Sequence, residues 1–314
     1  MKSDIEGVQS TSFDALKTKI SCVINHYYDD PFILDMEPGV SHKKFLPLIN
    51  RGTYCRVYVI NNTLNQIITN HKKLMESKKI IDSKINILIL GSGFDTTFFN
   101  LISKGNSNIE VYEYDYKKII DKKIEKITKS ITLSKIYEEN KSKYHLLPID
   151  ITKNKEFKGS LEKISNNDND VTIVICECLL VYIDRDTTIQ MLSSICKEIK
   201  NVYLLEYDLI EPNDPFGKEM VENLKNRSIT LKGFEEVQNL QDQIDRLKES
   251  KLDYVYAIDM LEVYFKLLPF EERKRIEKLE LMDEFEEFNL LQKHACFCYA
   301  YNCKNEEFKS FVSY

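Results

Sequence analysis

Five apolar segments recur between residues 85 and 207, and the stretches between them are long enough to hold a helix. Each segment is a continuous apolar run rather than an alternation of polar and apolar residues. This pattern is typical of strands buried on both faces of a parallel sheet, so it predicts an α/β fold. The predicted strands are Ile85–Leu90, Ile109–Tyr114, Tyr144–Leu147, Val171–Cys176 and Val202–Tyr207, followed by two later ones at Tyr254–Ile258 and Cys296–Tyr301.

Apolar positions at helical spacing lie on both sides of this strand region. The first set is Ile20, Val23, Ile24 and Tyr27, and the second is Val237, Leu240, Ile244 and Leu247. We therefore predict one domain over residues 1–314. It comprises a helical N-terminal cap (1–80), a cofactor-binding core (84–207), a helical insertion on the substrate side (208–253) and the final strands and helices of the core (254–301). The two helical additions either form a lid over a pocket or merely complete the core.

A glycine loop ends the first predicted strand. Gly91 and Gly93 follow Leu90, and Asp115 ends the next strand about twenty residues later, which is the spacing of a nucleotide-binding βαβ unit. Glycine allows a sharp turn and a close approach to a ligand, and a carboxylate accepts hydrogen bonds from both ribose hydroxyls. Because ligands bind beyond the carboxyl ends of parallel strands, we expect one rim formed by Gly91, Asp115, Asp150, Glu177 and Tyr207.

The loop favours a cationic nucleotide ligand over a dinucleotide. A dinucleotide fold has a third glycine that permits close packing of strand on helix, and this chain has Thr96 there. Asp95, two residues after Gly93, would repel a pyrophosphate at the helix N-terminus but suits a sulfonium or an ammonium group. The sequence therefore favours adenosylmethionine as the cofactor and disfavours a nicotinamide-dependent oxidoreductase.

The amino-acid composition narrows the possible functional classes of the protein. Of the 314 residues 43% are hydrophobic and 30% charged, and the net charge is −6 with lysines interleaved among acids, which disfavours nucleic-acid binding. No apolar run approaches the roughly 20 residues of a membrane span, and no secretory signal is visible, so we expect a cytoplasmic protein. No Cys-x-x-Cys pair or histidine pair at ligand spacing occurs, so no metal site is expected. Cys176 with Cys178, and Cys296 with Cys298, are interpreted as buried thiols.

Separated segments of the chain resemble the leucine carboxyl methyltransferase family over residues from about 14 to 301. The segments are Ile49-Asn-Arg-Gly-Thr-Tyr-Cys-Arg56, Leu90-Gly-Ser-Gly-Phe-Asp-Thr-Thr97, Cys176-Glu-Cys-Leu-Leu-Val-Tyr182, Asn213-Asp-Pro-Phe-Gly217 with Met220-Val-Glu-Asn-Leu224, and Ala257-Ile-Asp-Met-Leu-Glu262. The resemblance implies the Rossmann-like sheet of a class I adenosylmethionine-dependent methyltransferase. It also implies a substrate, the C-terminal leucine carboxylate of the protein phosphatase 2A catalytic subunit.

The resemblance assigns roles to individual residues. It implies that the methionine carboxylate of adenosylmethionine is bound by Lys19 and Arg56, and that Gly91, in one loop with Gly93, contacts the methionine portion. It further implies that Asp115 contacts the ribose and that Glu177 contacts the methionine amino end. Asp150 and Ile151 are implied to contact the adenine.

The acceptor end of the predicted pocket needs residues that position a carboxylate. A C-terminal carboxylate has a pKa of about 3.3 to 3.7 and is already the anionic nucleophile at neutral pH, so no general base is expected. We expect Arg56, Tyr182 and Tyr207 to position the acceptor instead. The family usually has Tyr-Glu-Gln where this chain has Tyr207-Asp-Leu209, and Thr53 and Cys55 also depart from its pattern.

Other functions stay open at this point. A small-molecule O-methyltransferase, or a carboxyl methyltransferase acting on a modified tRNA base, would share this domain, because a fold does not determine the acceptor. A non-catalytic binding module would keep the pocket without turnover. We expect a monomer whose partner is the phosphatase tail.

Overall fold

All seven predicted strands are present in one sheet of the computed structural model, which describes residues 4–37 and 44–314. Their order across the sheet is β3-β2-β1-β4-β5-β7-β6. β4, β5, β6 and β7 are slightly longer than predicted. The strands are β1 (Ile85–Leu90), β2 (Ile109–Tyr114), β3 (Tyr144–Leu147), β4 (Val171–Glu177), β5 (Asn201–Leu209), β6 (Tyr254–Asp259) and β7 (Ala295–Cys303).

The first five strands are parallel and share one register. Ile85 of β1 lies opposite both Ile109 of β2 and Val171 of β4, so the three strands end at the same level. Strand β7 is antiparallel to both β5 and β6. Every residue of β1 is buried, as expected for a central strand with helices on both faces. The loops after β1, β2, β3 and β4 therefore meet along one edge.

Helices cover both faces of the sheet. One face packs apolar side chains of β1 such as Ile87 against α2, and the other packs Leu88 in a cluster that includes Leu192 of α7 and Leu247 of α10. The helices are α1 (Asp4–Ile24), α2 (Pro47–Lys78), α3 (Thr97–Ser103), α4 (Lys117–Lys129), α5 (Ile131–Glu139), α6 (Asn154–Leu161), α7 (Arg185–Glu198), α8 (Pro215–Lys225), α9 (Lys232–Glu235), α10 (Leu240–Glu249), α11 (Met260–Glu262), α12 (Phe270–Glu277) and α13 (Phe285–Lys293).

Two predicted helical faces need correction at their ends. Helix α1 ends at Ile24, which is 37% exposed, and Tyr27 is buried but lies beyond the helix. Val237 likewise precedes α10, which begins at Leu240. The insertion comprises α8, α9 and α10, and part of the predicted cap (1–3 and 38–43) lies outside the described residues. Among the helices described, none combines the length and apolarity needed to cross a bilayer.

Candidate functional site

A cavity of about 650 Å³ opens where the parallel strands end, beneath helix α1. Its volume falls in the range of small-molecule and cofactor sites, roughly 300 to 1,000 Å³. The sheet edge supplies one wall, and α1 and the insertion supply the opposite one. Nine of the ten residues predicted for the site line this cavity, namely Lys19, Arg56, Gly91, Gly93, Asp115, Asp150, Ile151, Glu177 and Tyr182.

The glycine loop has the backbone that its sequence predicts. The N–H groups of Gly91 and Ser92 both donate to the carbonyl of Tyr114, at 2.8 and 3.1 Å, which ties the loop to the end of β2. Gly91 has φ +65° and Gly93 has φ +53°, a region that side chains other than glycine rarely occupy. A Cβ at Gly91 would also lie 2.7 Å from Leu179 Cδ1. The loop therefore presents bare backbone to the cavity.

Asp115 follows β2 and closes the loop from the other side. Its Oδ2 accepts a hydrogen bond from the Gly93 N–H at 2.8 Å, and its Oδ1 accepts one from the Tyr116 N–H at 2.7 Å. Burial raises the pKa of this carboxyl, and the two N–H groups partly offset that rise. Because each carboxylate oxygen has a second lone pair, Asp115 retains acceptors for two ribose hydroxyls. The residues present thus fit the ribose of a nucleotide.

Lys19, Glu177 and Arg56 form a charged row at the end of β4. Lys19 Nζ lies 2.8 Å from Glu177 Oε2, and Arg56 Nε lies 3.0 Å from Glu177 Oε1 at an angle that makes an ion pair rather than a directed hydrogen bond. Asp95 Oδ2 is 3.9 Å from Lys19 Nζ. Burial alone would raise the pKa of Glu177, but Lys19 and Arg56 outweigh it and the pKa is lowered. Alternating cations and carboxylates suit a zwitterion such as the methionine end of adenosylmethionine.

Asp150 and Ile151 lie at the end of the cavity beyond β3. The carboxyl of Asp150 accepts hydrogen bonds from Thr152 N and Oγ1, at 3.1 and 2.6 Å, which shapes the turn. Ile151 is buried and offers an apolar surface. An apolar side chain beside a shaped turn fits a flat aromatic base.

The two predicted tyrosines differ in position. Tyr182 ends the short turn Leu180–Tyr182 and lines the cavity, with its side chain toward that of Thr11. Tyr207 does not line the cavity, and it reaches the site through Arg56, whose guanidinium lies 5.2 Å from the ring centroid. Burial raises the pKa of both phenols, which keeps them neutral. Of the two, only Tyr182 faces the cavity directly.

The prediction of two buried thiol pairs needs a correction at Cys178. Cys176, Cys296 and Cys298 are buried, but Cys178 is partly exposed and lines the cavity. Strand β4 ends at Glu177 and Cys178 has φ +54°, so the alternation of the strand stops before it. Burial raises the pKa of the Cys178 thiol to about 12, so it is neutral.

Several lining residues were missed by sequence reasoning. Helix α1 contributes Val8, Ser12 and Ala15, which lie in one strip with the predicted Lys19, and the insertion contributes Lys232. The only sequence signal is the spacing of three or four between the members of this strip. That spacing indicates one helix face but does not say what the face covers. Within the described part of the chain, no cluster of three or more histidine, cysteine or acidic residues can hold a metal ion.

The sheet order, with its one antiparallel strand and its cavity at the carboxyl edge, defines a class I adenosylmethionine-dependent methyltransferase. A candidate methyltransferase from Thermobifida fusca of known structure shares this fold, with a TM-score of 0.52 at 9% identity over 82% of this chain and 84% of that one. The family model named leucine carboxyl methyltransferase matches residues 8–196. The chain belongs to the leucine carboxyl methyltransferase family.

Relatives match over nearly their whole length. The leucine carboxyl methyltransferase 1 homolog of Arabidopsis thaliana is 32% identical, with 96% of this chain and 91% of the relative covered. Leucine carboxyl methyltransferase 1 of Schizosaccharomyces pombe is also 32% identical, with 93% and 94% covered. These matches confirm the family predicted from the sequence segments, and with it a methyltransferase that acts on a carboxyl group.

Proposed function

We propose that this chain transfers a methyl group from adenosylmethionine to the C-terminal leucine carboxylate of the protein phosphatase 2A catalytic subunit. The observation that carries the proposal is the row of Lys19, Glu177 and Arg56 beside the glycine loop. Membership of the family supports a carboxyl acceptor. The choice of the phosphatase rests on the sequence resemblance.

At the donor end, we assign the methionine carboxylate to Lys19 and Arg56 and the ammonium group to Glu177. Both cations are less than one-fifth exposed, so their attraction for an anion is weakly screened by water. The Gly91 to Gly93 loop would contact the methionine portion, and the carboxylate of Asp115 would hold the ribose hydroxyls. Asp150 and Ile151 would frame the adenine.

At the acceptor end, we assign Arg56, Tyr182 and Tyr207 to positioning the carboxylate. When bound, adenosylmethionine supplies a methyl group on a positively charged sulfur, and a carboxylate oxygen supplies the electron pair of the new bond as the sulfur–carbon bond breaks. The positive and negative charges cancel in this reaction, so exclusion of water by α1 favours it. Holding the two reacting atoms about 3 to 3.5 Å apart removes several kcal/mol of the barrier.

A labelled-methyl transfer assay tests the proposal. The acceptors are purified phosphatase catalytic subunit and the same protein lacking its terminal leucine. We expect base-labile label, the signature of a methyl ester, on the first and none on the second. Equal labelling of both, or of neither, contradicts the assignment, and transfer to a small carboxylic acid or a modified tRNA base instead would favour those acceptors.

Calorimetry separates the cofactor from the acceptor. We expect heat of binding with adenosylmethionine and none with NAD, whereas the reverse would indicate an oxidoreductase. We further propose that the chain acts as a cytoplasmic monomer, which size-exclusion chromatography with light scattering and fractionation of cells would test.

A further inference from the structure

A second charged cluster lies behind the acceptor end of the cavity, on the opposite face of β5 from Tyr207. Glu206 and Asp208 of β5 are 0% and 1% exposed, and Arg246 of α10 is 1% exposed. Arg246 Nη2 lies 3.1 Å from Glu206 Oε1 and 3.7 Å from Asp208 Oδ2. Gln243, also on α10, donates from Nε2 to Glu206 Oε1 at 2.5 Å. Asp208 belongs to the Tyr207-Asp-Leu209 segment that departs from the family pattern.

The charges of this cluster do not balance if both acids are ionised. Two carboxylates would face one guanidinium in a site shielded from solvent, and an unpaired buried charge is strongly destabilising. Among the described residues, the other titratable groups around them include the thiols of Cys176, Cys178, Cys296 and Cys298 and the phenol of Tyr182, none of which adds a positive charge.

Two oxygen atoms indicate where the missing proton lies. Glu206 Oε2 and Asp208 Oδ2 are buried and, counted as ionised acceptors, have no hydrogen-bond donor among the described residues. Arg246 Nε and Nη1 and Gln243 Oε1 of the same cluster are buried and unpaired as well. The side chains of Glu206 and Asp208 lie within hydrogen-bonding reach of each other, so a proton on one of the two carboxyls would let it donate to the other. Burial raises the pKa of Asp208 well above its usual range, and Glu206 beside it raises it further. Burial also raises the pKa of Glu206, against the opposing effect of Arg246.

The cluster touches the turn that carries Tyr182. Asp208 accepts a hydrogen bond from the Leu209 N–H at 3.0 Å, and its carboxyl also faces the N–H of Val181, the residue before Tyr182. On its other side the turn packs against α9, where a Cβ at Gly233 would overlap the carbonyl oxygen of Leu180. The turn is therefore held between β5 and α9 with little room to shift.

We propose that Glu206 and Asp208 share one proton, and that the resulting neutral cluster with Arg246 makes Asp208 a positioning residue for the acceptor. It acts by fixing the turn that places Tyr182 against the cavity. The inference rests on the proposed function only in its choice of acceptor. Since the residues assigned to the donor lie at the ends of β1 to β4 and on α1 and α2, and none lies on the Tyr182 turn, loss of the cluster should affect acceptor binding and leave donor binding unchanged.

Two substitutions of one residue test the proposal. Asp208→Asn keeps the size of the side chain and a donor for Glu206 but cannot ionise, so we expect its acceptor KM to stay within about twofold of the unsubstituted enzyme. Asp208→Leu removes the donor and leaves Glu206 Oε2 unsatisfied, and we expect its acceptor KM to rise about tenfold. Calorimetric affinity for adenosylmethionine should be the same in both, and it also reports that each variant is folded.

The pH dependence of the unfolding free energy tests whether Asp208 carries a proton in the folded state. Because Asp208 stays protonated in the folded state above its unfolded pKa of about 3.9, the unsubstituted protein should lose stability relative to Asp208→Asn as the pH rises above that value. Infrared difference spectra between the two proteins should show the carbonyl band of a protonated acid at neutral pH.

Three results would overturn the proposal: an unchanged acceptor KM in Asp208→Leu, an equal loss in Asp208→Asn, or a pH-independent stability difference between Asp208→Asn and the unsubstituted protein. If the unsubstituted enzyme methylates no leucine-ended acceptor, the proposed function fails instead. The stability profile and the infrared band then still decide whether the proton is shared.

Discussion

Asp115→Ala would remove the carboxylate that we assign to the ribose of the cofactor. In the structure each oxygen of Asp115 accepts one backbone N–H, from Gly93 or from Tyr116, and keeps one lone pair for a hydroxyl. The substitution therefore removes two charge-assisted hydrogen bonds to the ligand and also frees two N–H groups of the loop.

The expected loss of affinity follows from those bonds. Each hydrogen bond to a charged group contributes about 1.5 to 3 kcal/mol, so the loss of two should raise the dissociation constant for adenosylmethionine by at least about 150-fold. Because burial raises the pKa of Asp115, affinity in the unsubstituted protein should also weaken as the pH falls and the carboxyl takes up a proton. Asp115→Ala should lack that pH dependence.

Isothermal titration calorimetry at several pH values measures both effects. Glu110→Gln is the matched control, since it removes a carboxylate from β2, the strand that Asp115 follows, at a position paired with Lys84 and away from the cavity. A dissociation constant for Asp115→Ala within twofold of the unsubstituted protein, with the thermal transition intact, would refute the ribose assignment.

Three further predictions address the rest of the site. Arg56→Ala should lower methyl transfer about 100-fold in the radiolabel assay while circular dichroism stays native. The activity of Arg56→Lys should lie between those of Arg56→Ala and the unsubstituted enzyme, because lysine keeps the charge without the planar fork. Near-normal turnover in the alanine variant would contradict the role of Arg56. Glu177→Gln should destabilise the protein above about pH 4.3, because the ionised Glu177 stabilises the folded state and this contribution is lost as the pH falls through its lowered folded pKa. Denaturant unfolding at pH 3 and pH 7 measures the difference in unfolding free energy. An equal loss of stability at both pH values would count against the prediction. Gly233→Ala should raise the acceptor KM about tenfold by pushing α9 away from the Tyr182 turn, whereas Gly159→Ala, which has open space around it, should leave that KM unchanged.

The strands and the glycine loop could be predicted from the sequence because their signals are local. A buried parallel strand is a continuous apolar run, and the positive φ values at Gly91 and Gly93 require glycine. The same rule of parallel strand ends placed Asp115, Asp150 and Glu177 on one cavity. Lys19 and Arg56 were identified only through the family resemblance, because nothing near them in the chain indicates a ligand.

The tertiary structure determined which distant side chains are in contact. Lys19 and Glu177 are 158 residues apart, and their contact depends on how α1 packs over the sheet, which no spacing encodes. Cys178 left its predicted buried position because the strand ends one residue before it. Tyr207 and Asp208 point to opposite faces of β5, so the neighbours of each, Arg56 for one and Arg246 for the other, were determined by the helices packed on those faces. A sequence specifies strands and turns through neighbouring residues, whereas a site is assembled from side chains that only the packing of helices on the sheet brings together.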